Sequence, residues 1–136
     1  MDNLKNEVFI HGNSLQICNL IQLNLKCVDH DFTWHIRGIS LMRIVIDILV
    51  YNRDVNNIPF DFDLFKRRIE YKELVKYLNE NIPDKYKEEL NIYLDLLPEQ
   101  YEDCHCYIIR RFKCITTIVM HPIEKLSLDS LFLNRI

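Results

Sequence analysis

The sequence contains no alanine, only 2 glycines and a single tryptophan among its 136 residues. Two glycines cannot build a loop that cradles phosphate, and no P-loop, dinucleotide fingerprint, G-x-S-x-G or H-E-x-x-H pattern occurs. Without alanine, the core must consist of large side chains, so we expect the helices to lie relatively far apart. We also expect some apolar surface to remain exposed. The abundance of Ile, Leu, Asn, Asp and Lys, together with the lack of alanine, also fits an AT-rich genome, such as that of a virus, mobile element or intracellular bacterium.

The chain also lacks a strong charge of either sign. With 17 Lys and Arg against 20 Asp and Glu, the net charge is −3, whereas a general nucleic-acid binder is normally basic. The first residues, MDNLKNEVFIHGN, do not resemble a signal peptide, because the apolar run is short and follows acidic residues. We therefore predict a single cytoplasmic domain over residues 1–136, whose 5 cysteines are reduced thiols.

The first part of the chain, residues 7–28, alternates between apolar and polar side chains as a half-buried strand does. In the second run, six apolar residues fall on one parity, at Leu15, Ile17, Ile21, Leu23, Leu25 and Cys27. Gly12 and Asn13 supply a turn before this run. The pattern predicts an N-terminal β-hairpin, with a helix over residues 15–28 as the alternative.

Four helices are predicted after the hairpin. Residues 32–52 carry only a narrow polar stripe, which predicts a central buried helix, and their uncharged stretches are too short for a membrane span. A second helix is expected over about residues 61–81, with Phe65 and Val75 on its apolar face. A third is expected from Pro83 to just before Pro98, with Leu90 and Tyr93 on its apolar face, and a fourth over residues 101–121. The predicted fold class is α+β, a hairpin packed on about four helices, with an all-α bundle as the alternative.

The segment CHCYIIRRFKCITTIVMH, residues 104–121, contains 3 of the 5 cysteines and raises the question of a metal site. Its apolar positions fit a helix better than a strand, although the ITTIV run favours a strand locally. On a helix, Cys106 and Cys114 would be about 12 Å apart along the axis, too far to share a zinc ion. Binding a metal would need Cys104 and Cys106 in a loop or strand, with further ligands such as Cys18, Cys27 or His30. We therefore predict no metal and no cofactor, with Cys104 and Cys114 as small buried hydrophobes.

No catalytic residue is predicted either. A nucleophilic cysteine needs a base within reach, and residues adjacent on a helix, such as His105 and Cys106, do not face each other. The acidic run Asp29-His30-Asp31 is interpreted as a loop and helix N-cap.

Two clusters of basic residues suggest nucleic-acid binding as an alternative function. They are Lys66-Arg67-Arg68 on the second predicted helix, and Arg110, Arg111 and Lys113 on the fourth. If these helices pack side by side, the clusters could form one positive face for phosphates. A charge run on a helix is more often its solvated face, and Phe65 and Phe112 are expected in the core.

Protein–protein interaction is the function that we favour from the sequence. The C-terminal run LSLDSLFLNRI has more large apolar residues than one short segment can bury, and exposed apolar patches mark partner surfaces. The predicted partner-binding residues are Leu128, Leu131, Phe132 and Leu133, unless this run packs back on the N-terminal element. A non-enzymatic adaptor, regulator or inhibitor is expected, with homodimerisation as the simplest association.

Overall fold

The computed structural model of the protein describes residues 4–25, 32–95 and 101–118, and these ranges form seven α-helices without a strand. The helices are α1 (Leu4–His11), α2 (Ser14–Leu23), α3 (Phe32–Val55), α4 (Phe62–Arg68), α5 (Tyr71–Tyr77), α6 (Asp84–Asp95) and α7 (Tyr101–Cys114). The prediction of an N-terminal β-hairpin and an α+β fold is therefore wrong. The all-α alternative fits the described residues.

A helix cap between α1 and α2 fixes the start of α2. The alternation of apolar and polar residues in the sequence did not indicate this cap. Asn13 Oδ1 accepts a hydrogen bond from the Gln16 backbone N–H at 2.9 Å, and Gln16 Oε1 accepts one from the Asn13 N–H at 2.8 Å. This reciprocal capping box begins α2. A Cβ atom on Gly12 would lie 2.4 Å from the Val8 carbonyl oxygen, so only glycine allows so tight an exit from α1.

Helix α3 occupies the centre, as the sequence predicted. It packs against α2, α4, α6 and α7. Its buried side chains recur through the helix, at Leu41, Met42, Val45, Ile46, Ile48 and Leu49. No helix within the described ranges is both long and apolar enough to cross a membrane.

Helices α3 and α7 approach each other closely at Gly38, in contrast to the wide separation expected of a chain without alanine. A Cβ atom placed on Gly38 would lie 3.0 Å from the Ile108 carbonyl oxygen and 3.4 Å from Phe112 Cε2. The glycine therefore lets the backbone of α7 rest on α3. It also explains why one of the two glycines lies inside a helix, where glycine is otherwise unfavourable.

Substitution of Gly38 by leucine is expected to lower the free energy of unfolding by about 1–3 kcal/mol, because the added side chain must force α3 and α7 apart. Urea denaturation followed by circular dichroism measures the loss. Ser40→Leu is the matched control, because Ser40 is exposed on the same helix and its change should stay within about 0.5 kcal/mol. Equal losses in the two variants would contradict the close contact.

The helix expected over residues 61–81 is divided into α4 and α5, with a break at Ile69 and Glu70. The third predicted helix is confirmed as α6, and its expected apolar positions Leu90 and Tyr93 are buried. The fourth is confirmed as α7, but it ends at Cys114, and residues 115–118 are not helical. Phe65 and Phe112 lie in the core as predicted, whereas Val75 is exposed.

Candidate functional site

A buried histidine lies where α4, α5, α6 and α7 meet. The His105 side chain is only 1% exposed. Its Nε2 lies 2.8 Å from the Ile69 carbonyl oxygen, and its Nδ1 lies 2.8 Å from the Tyr93 hydroxyl. The rings of Tyr71 and Tyr93 meet the imidazole edge-on. Since a carbonyl only accepts, Nε2 carries the proton and donates to Ile69, which leaves Nδ1 to accept from Tyr93.

This arrangement favours the neutral imidazole. Burial lowers the pKa of His105 below its ordinary value, and the contact with the Ile69 carbonyl and the carboxylate of Glu70 oppose that shift only in part. Both ring nitrogens are occupied by groups of the fold. The imidazole therefore serves to join helices, and the sequence pattern could have revealed its burial, because His105 shares a helical stripe with Ile108, Ile109 and Phe112.

Arg68, from the first predicted basic cluster, is held by acidic and aromatic neighbours. Its Nη2 donates to Glu80 Oε2 at 2.7 Å and its Nη1 donates to Glu73 Oε2 at 3.2 Å. The guanidinium also lies 4.1 Å from the centre of the Tyr77 ring, and the Tyr77 hydroxyl donates to the Arg68 carbonyl oxygen at 2.9 Å. Arg68 thus fixes α4 to α5 and to the turn that follows α5.

The two lysines of the basic clusters are also engaged within the fold. Lys66 Nζ donates to the Ile115 carbonyl oxygen at 3.0 Å, just beyond the C-terminus of α7, where a cation is favourable. Lys113 Nζ donates to Glu70 Oε1 at 2.7 Å. Because of this hydrogen bond, above all, the pKa of Glu70 is lowered.

Helices α4 and α7 touch through the rings of Phe65 and Phe112, which are in edge-to-face contact at 5.5 Å. Arg67 and Arg110 are exposed, and Arg111 is partly buried. Three of the six predicted cations, Lys66, Arg68 and Lys113, hold helices together. The nucleic-acid site stays a prediction, with Arg67, Arg110 and Lys113 as its exposed members.

The cysteines that the structure describes differ in environment. Cys18 is buried on α2, and burial together with the nearby carboxylate of Asp47 raises the pKa of its thiol to about 12. This thiol stays protonated at neutral pH and is a poor nucleophile. Cys114 is exposed, so its predicted burial is wrong. Among the described residues, no three His, Cys, Asp or Glu side chains are grouped to hold a metal ion.

Several predicted residues lie outside the described part of the structure. The run Asp29-His30-Asp31, Cys27 and the apolar residues Leu128, Leu131, Phe132 and Leu133 belong to this set. The side chains of Cys104 and Cys106 belong to it too, although their backbone is part of α7.

An open cleft of about 360 Å³ lies between α1, the start of α4 and residues 116–118. Its lining includes Phe9, Asp61 and Asp63. Asp61 caps α4 by accepting from the Leu64 N–H at 2.7 Å, and Asp63 lies 3.8 Å from Lys66 Nζ. Both carboxylates therefore already stabilise the fold.

A further candidate surface is the outer side of α2. Leu15 is 65% exposed and Leu23 is 52% exposed, and Asn19 and Gln22 between them are exposed as well. These four residues, called the α2 stripe below, follow helical spacing on a helix that carries no charged residue. The opposite side of α2 is buried, at Ile17, Cys18, Leu20 and Ile21.

Helix α2 packs against α3. Arg53, near the end of α3, donates from Nη1 to the Phe9 carbonyl oxygen of α1 at 2.9 Å. Cys18 of α2 lies close enough to Arg43 and Asp47, which come earlier on α3, for their charges to affect the pKa of its thiol. Helix α2 therefore runs antiparallel to α3.

Sequence reasoning missed the α2 stripe because it assigned Leu15, Ile17, Ile21 and Leu23 to one face of a strand. On a helix, the same residues separate into a buried pair and an exposed pair. The chain matches no family model, no curated protein and no solved structure. Its function must therefore be argued from the geometry of its own residues.

Proposed function

We propose that the protein acts by binding a protein partner through the α2 stripe, as an adaptor, regulator or inhibitor without chemistry of its own. The observation that carries the proposal is the exposure of Leu15 and Leu23 on one side of an uncharged helix. Exposed apolar side chains that stand singly are normal on proteins, whereas grouped ones mark interaction surfaces.

Ile92 is an exposed apolar residue in a different setting. Ile92 on α6 is 61% exposed, but its exposed neighbours include Glu88, Glu89, Asn91 and Asp95. Such a residue is surrounded by hydrated charge, which opposes burial in an interface. Ile92 therefore provides a position with an exposure between those of Leu15 and Leu23 and a side chain of similar size, at which no partner is expected.

Photo-crosslinking tests the proposal directly. We expect p-benzoylphenylalanine at position 19, in the middle of the α2 stripe, to give a covalent protein adduct on irradiation of cells that express the full chain. The same amino acid at position 92 should give none, because α6 is not part of the interface. Absence of an adduct from position 19, or equal yields from both positions, would overturn the proposal.

A further inference from the structure

We infer that His105 is an acid-sensitive latch, which holds α6 against α7 at neutral pH and lets α6 open locally when the imidazole gains a proton. The inference concerns a conformational change within the fold and does not depend on the α2 stripe. Three observations support it: the position of the imidazole between helices, the different roles of its two nitrogens, and the small number of buried side chains on α6.

The imidazole joins three parts of the fold. His105 belongs to α7, its Nε2 donates to the Ile69 carbonyl oxygen between α4 and α5, and its Nδ1 accepts from the Tyr93 hydroxyl of α6. Because the side chain is buried, water does not replace these partners while the helices stay together. The hydrogen bond with Tyr93 is therefore a direct link between α6 and α7 that depends on the protonation state of the imidazole.

Only one of the two hydrogen bonds keeps its direction when the imidazole is protonated. Nε2 carries a hydrogen in both forms, so its bond to the Ile69 carbonyl oxygen persists. Nδ1 changes from an acceptor to a donor, so it no longer accepts from the Tyr93 hydroxyl. Protonation thus acts on the contact with α6 and leaves the contact with the junction of α4 and α5 in place.

The groups that face His105 do not stabilise a positive charge as water does. At the start of α5, the ring of Tyr71 meets the imidazole edge-on, and the carboxylate of Glu70 is near enough to favour the charged form. That carboxylate already accepts from Lys113 Nζ of α7 at 2.7 Å. Tyr93 of α6 contributes its hydroxyl and ring, and the junction of α4 and α5 contributes a backbone carbonyl. Opening of the site to water therefore stabilises the protonated form.

Helix α6 is held by few buried side chains. Of its 12 residues only Leu90 and Tyr93 are buried, whereas α2 buries four of its 10. Tyr86 adds a partly buried ring, which meets that of Tyr51 on α3 edge-on at 6.5 Å. Elements with few buried apolar contacts open locally at free energies below that of global unfolding. Loss of the hydrogen bond at Tyr93 therefore removes a large part of what holds α6.

Hydrogen–deuterium exchange of the full chain, measured by mass spectrometry at about pH 7.5 and about pH 5.5, tests the latch. After correction for the intrinsic exchange rate at each pH, the amides of residues 84–95 should exchange faster at the lower pH, by up to about 10-fold. This upper limit follows from the ordinary pKa of 6.5, which applies to the histidine once the site is open to water. The amides of residues 41–49 in α3 should show no such change, because the opening is confined to α6.

Two variants identify the group that responds to pH. His105→Gln keeps a donor for the Ile69 carbonyl but does not titrate in this range, so its α6 amides should exchange at the same corrected rate at both pH values. His11→Gln removes an exposed histidine of α1 and should keep the wild-type response.

Three results would overturn the inference. The first is a wild type whose α6 amides exchange equally at the two pH values after correction. The second is a response that persists in His105→Gln. The third is an acceleration in α3 as large as that in α6, because the whole chain would then unfold and α6 would not open by itself.

Discussion

Replacement of His105 by leucine is expected to lower the free energy of unfolding by about 3 kcal/mol. The variant removes the donor to the Ile69 carbonyl oxygen and the acceptor for the Tyr93 hydroxyl, two hydrogen bonds of 2.8 Å in a buried site. A buried polar group that loses its partner keeps its full desolvation penalty, because water does not reach it. Urea denaturation monitored by tyrosine and tryptophan fluorescence gives the loss.

Two variants show whether the loss comes from these hydrogen bonds. His105→Gln retains an N–H donor that can reach the Ile69 carbonyl, so its loss should be smaller than that of His105→Leu. His11→Leu removes an exposed histidine of α1 and should change stability by less than about 0.5 kcal/mol. If His105→Leu proved as stable as the wild type, the buried hydrogen bonds would not contribute to the stability of the fold.

The same histidine should make the stability of the protein depend on pH. Its pKa in the folded protein lies below the ordinary value of 6.5 that applies in the unfolded chain. The unfolded chain therefore binds a proton more readily, and stability should fall as the pH drops from 6.5 through the folded pKa. Glu70, whose pKa lies below its ordinary value of 4.5, adds its own dependence only in more acidic solution. His105→Leu should flatten the wild-type decline between pH 6.5 and 5.5.

Replacement of Arg68 by alanine is expected to lower the free energy of unfolding by about 2–3 kcal/mol. The guanidinium bonds two carboxylates, Glu73 and Glu80, and covers the ring of Tyr77. Its removal leaves the two partly buried carboxylates close together without the cation that they share. Chemical denaturation measures the loss in the free energy of unfolding. The difference between its values at low and high salt gives the electrostatic contribution.

The neighbouring arginine provides the matched control. Arg67 is exposed on the same helix, so Arg67→Ala should stay within about 0.5 kcal/mol of the wild type. Arg68→Lys keeps the charge but cannot form the same forked contacts, and an intermediate loss is expected. Similar losses for Arg67→Ala and Arg68→Ala would mean that the basic cluster acts only through its net charge.

Helical periodicity predicted the centre and the C-terminal half of the fold. The narrow polar stripe of residues 32–52 identified α3, and the spacing of Leu90 and Tyr93 identified α6, because both patterns reflect burial on one side of a helix. The N-terminal prediction was wrong because alternation over a short run also fits a helix with an apolar face. The capping box of Asn13 and Gln16 was the local signal that could have decided between the two.

The break between α4 and α5 has a different cause, which lies far away in the sequence. The carbonyl oxygens of Arg68 and Ile69 accept from the side chains of Tyr77 and His105, 9 and 36 residues further along the chain. No glycine or proline marks the break. Local patterns could not reveal it, because the donors that satisfy these carbonyls are brought there only by tertiary packing. The same limit applies to Arg68, whose basic neighbours suggested a solvent-exposed charge cluster.

The junction of α4 and α5 is also held by residues that are synthesised much later than the junction itself. Lys66, Ile69 and Glu70 have their partners at Ile115, His105 and Lys113, separated from them by 49, 36 and 43 residues. Synthesis proceeds from the N-terminus at about 5–20 residues per second, so several seconds pass between the two sets of residues. During that interval the apolar side of α4, including Phe65, has no α7 to cover it. We therefore expect the growing polypeptide to expose this apolar side until α7 has left the ribosome.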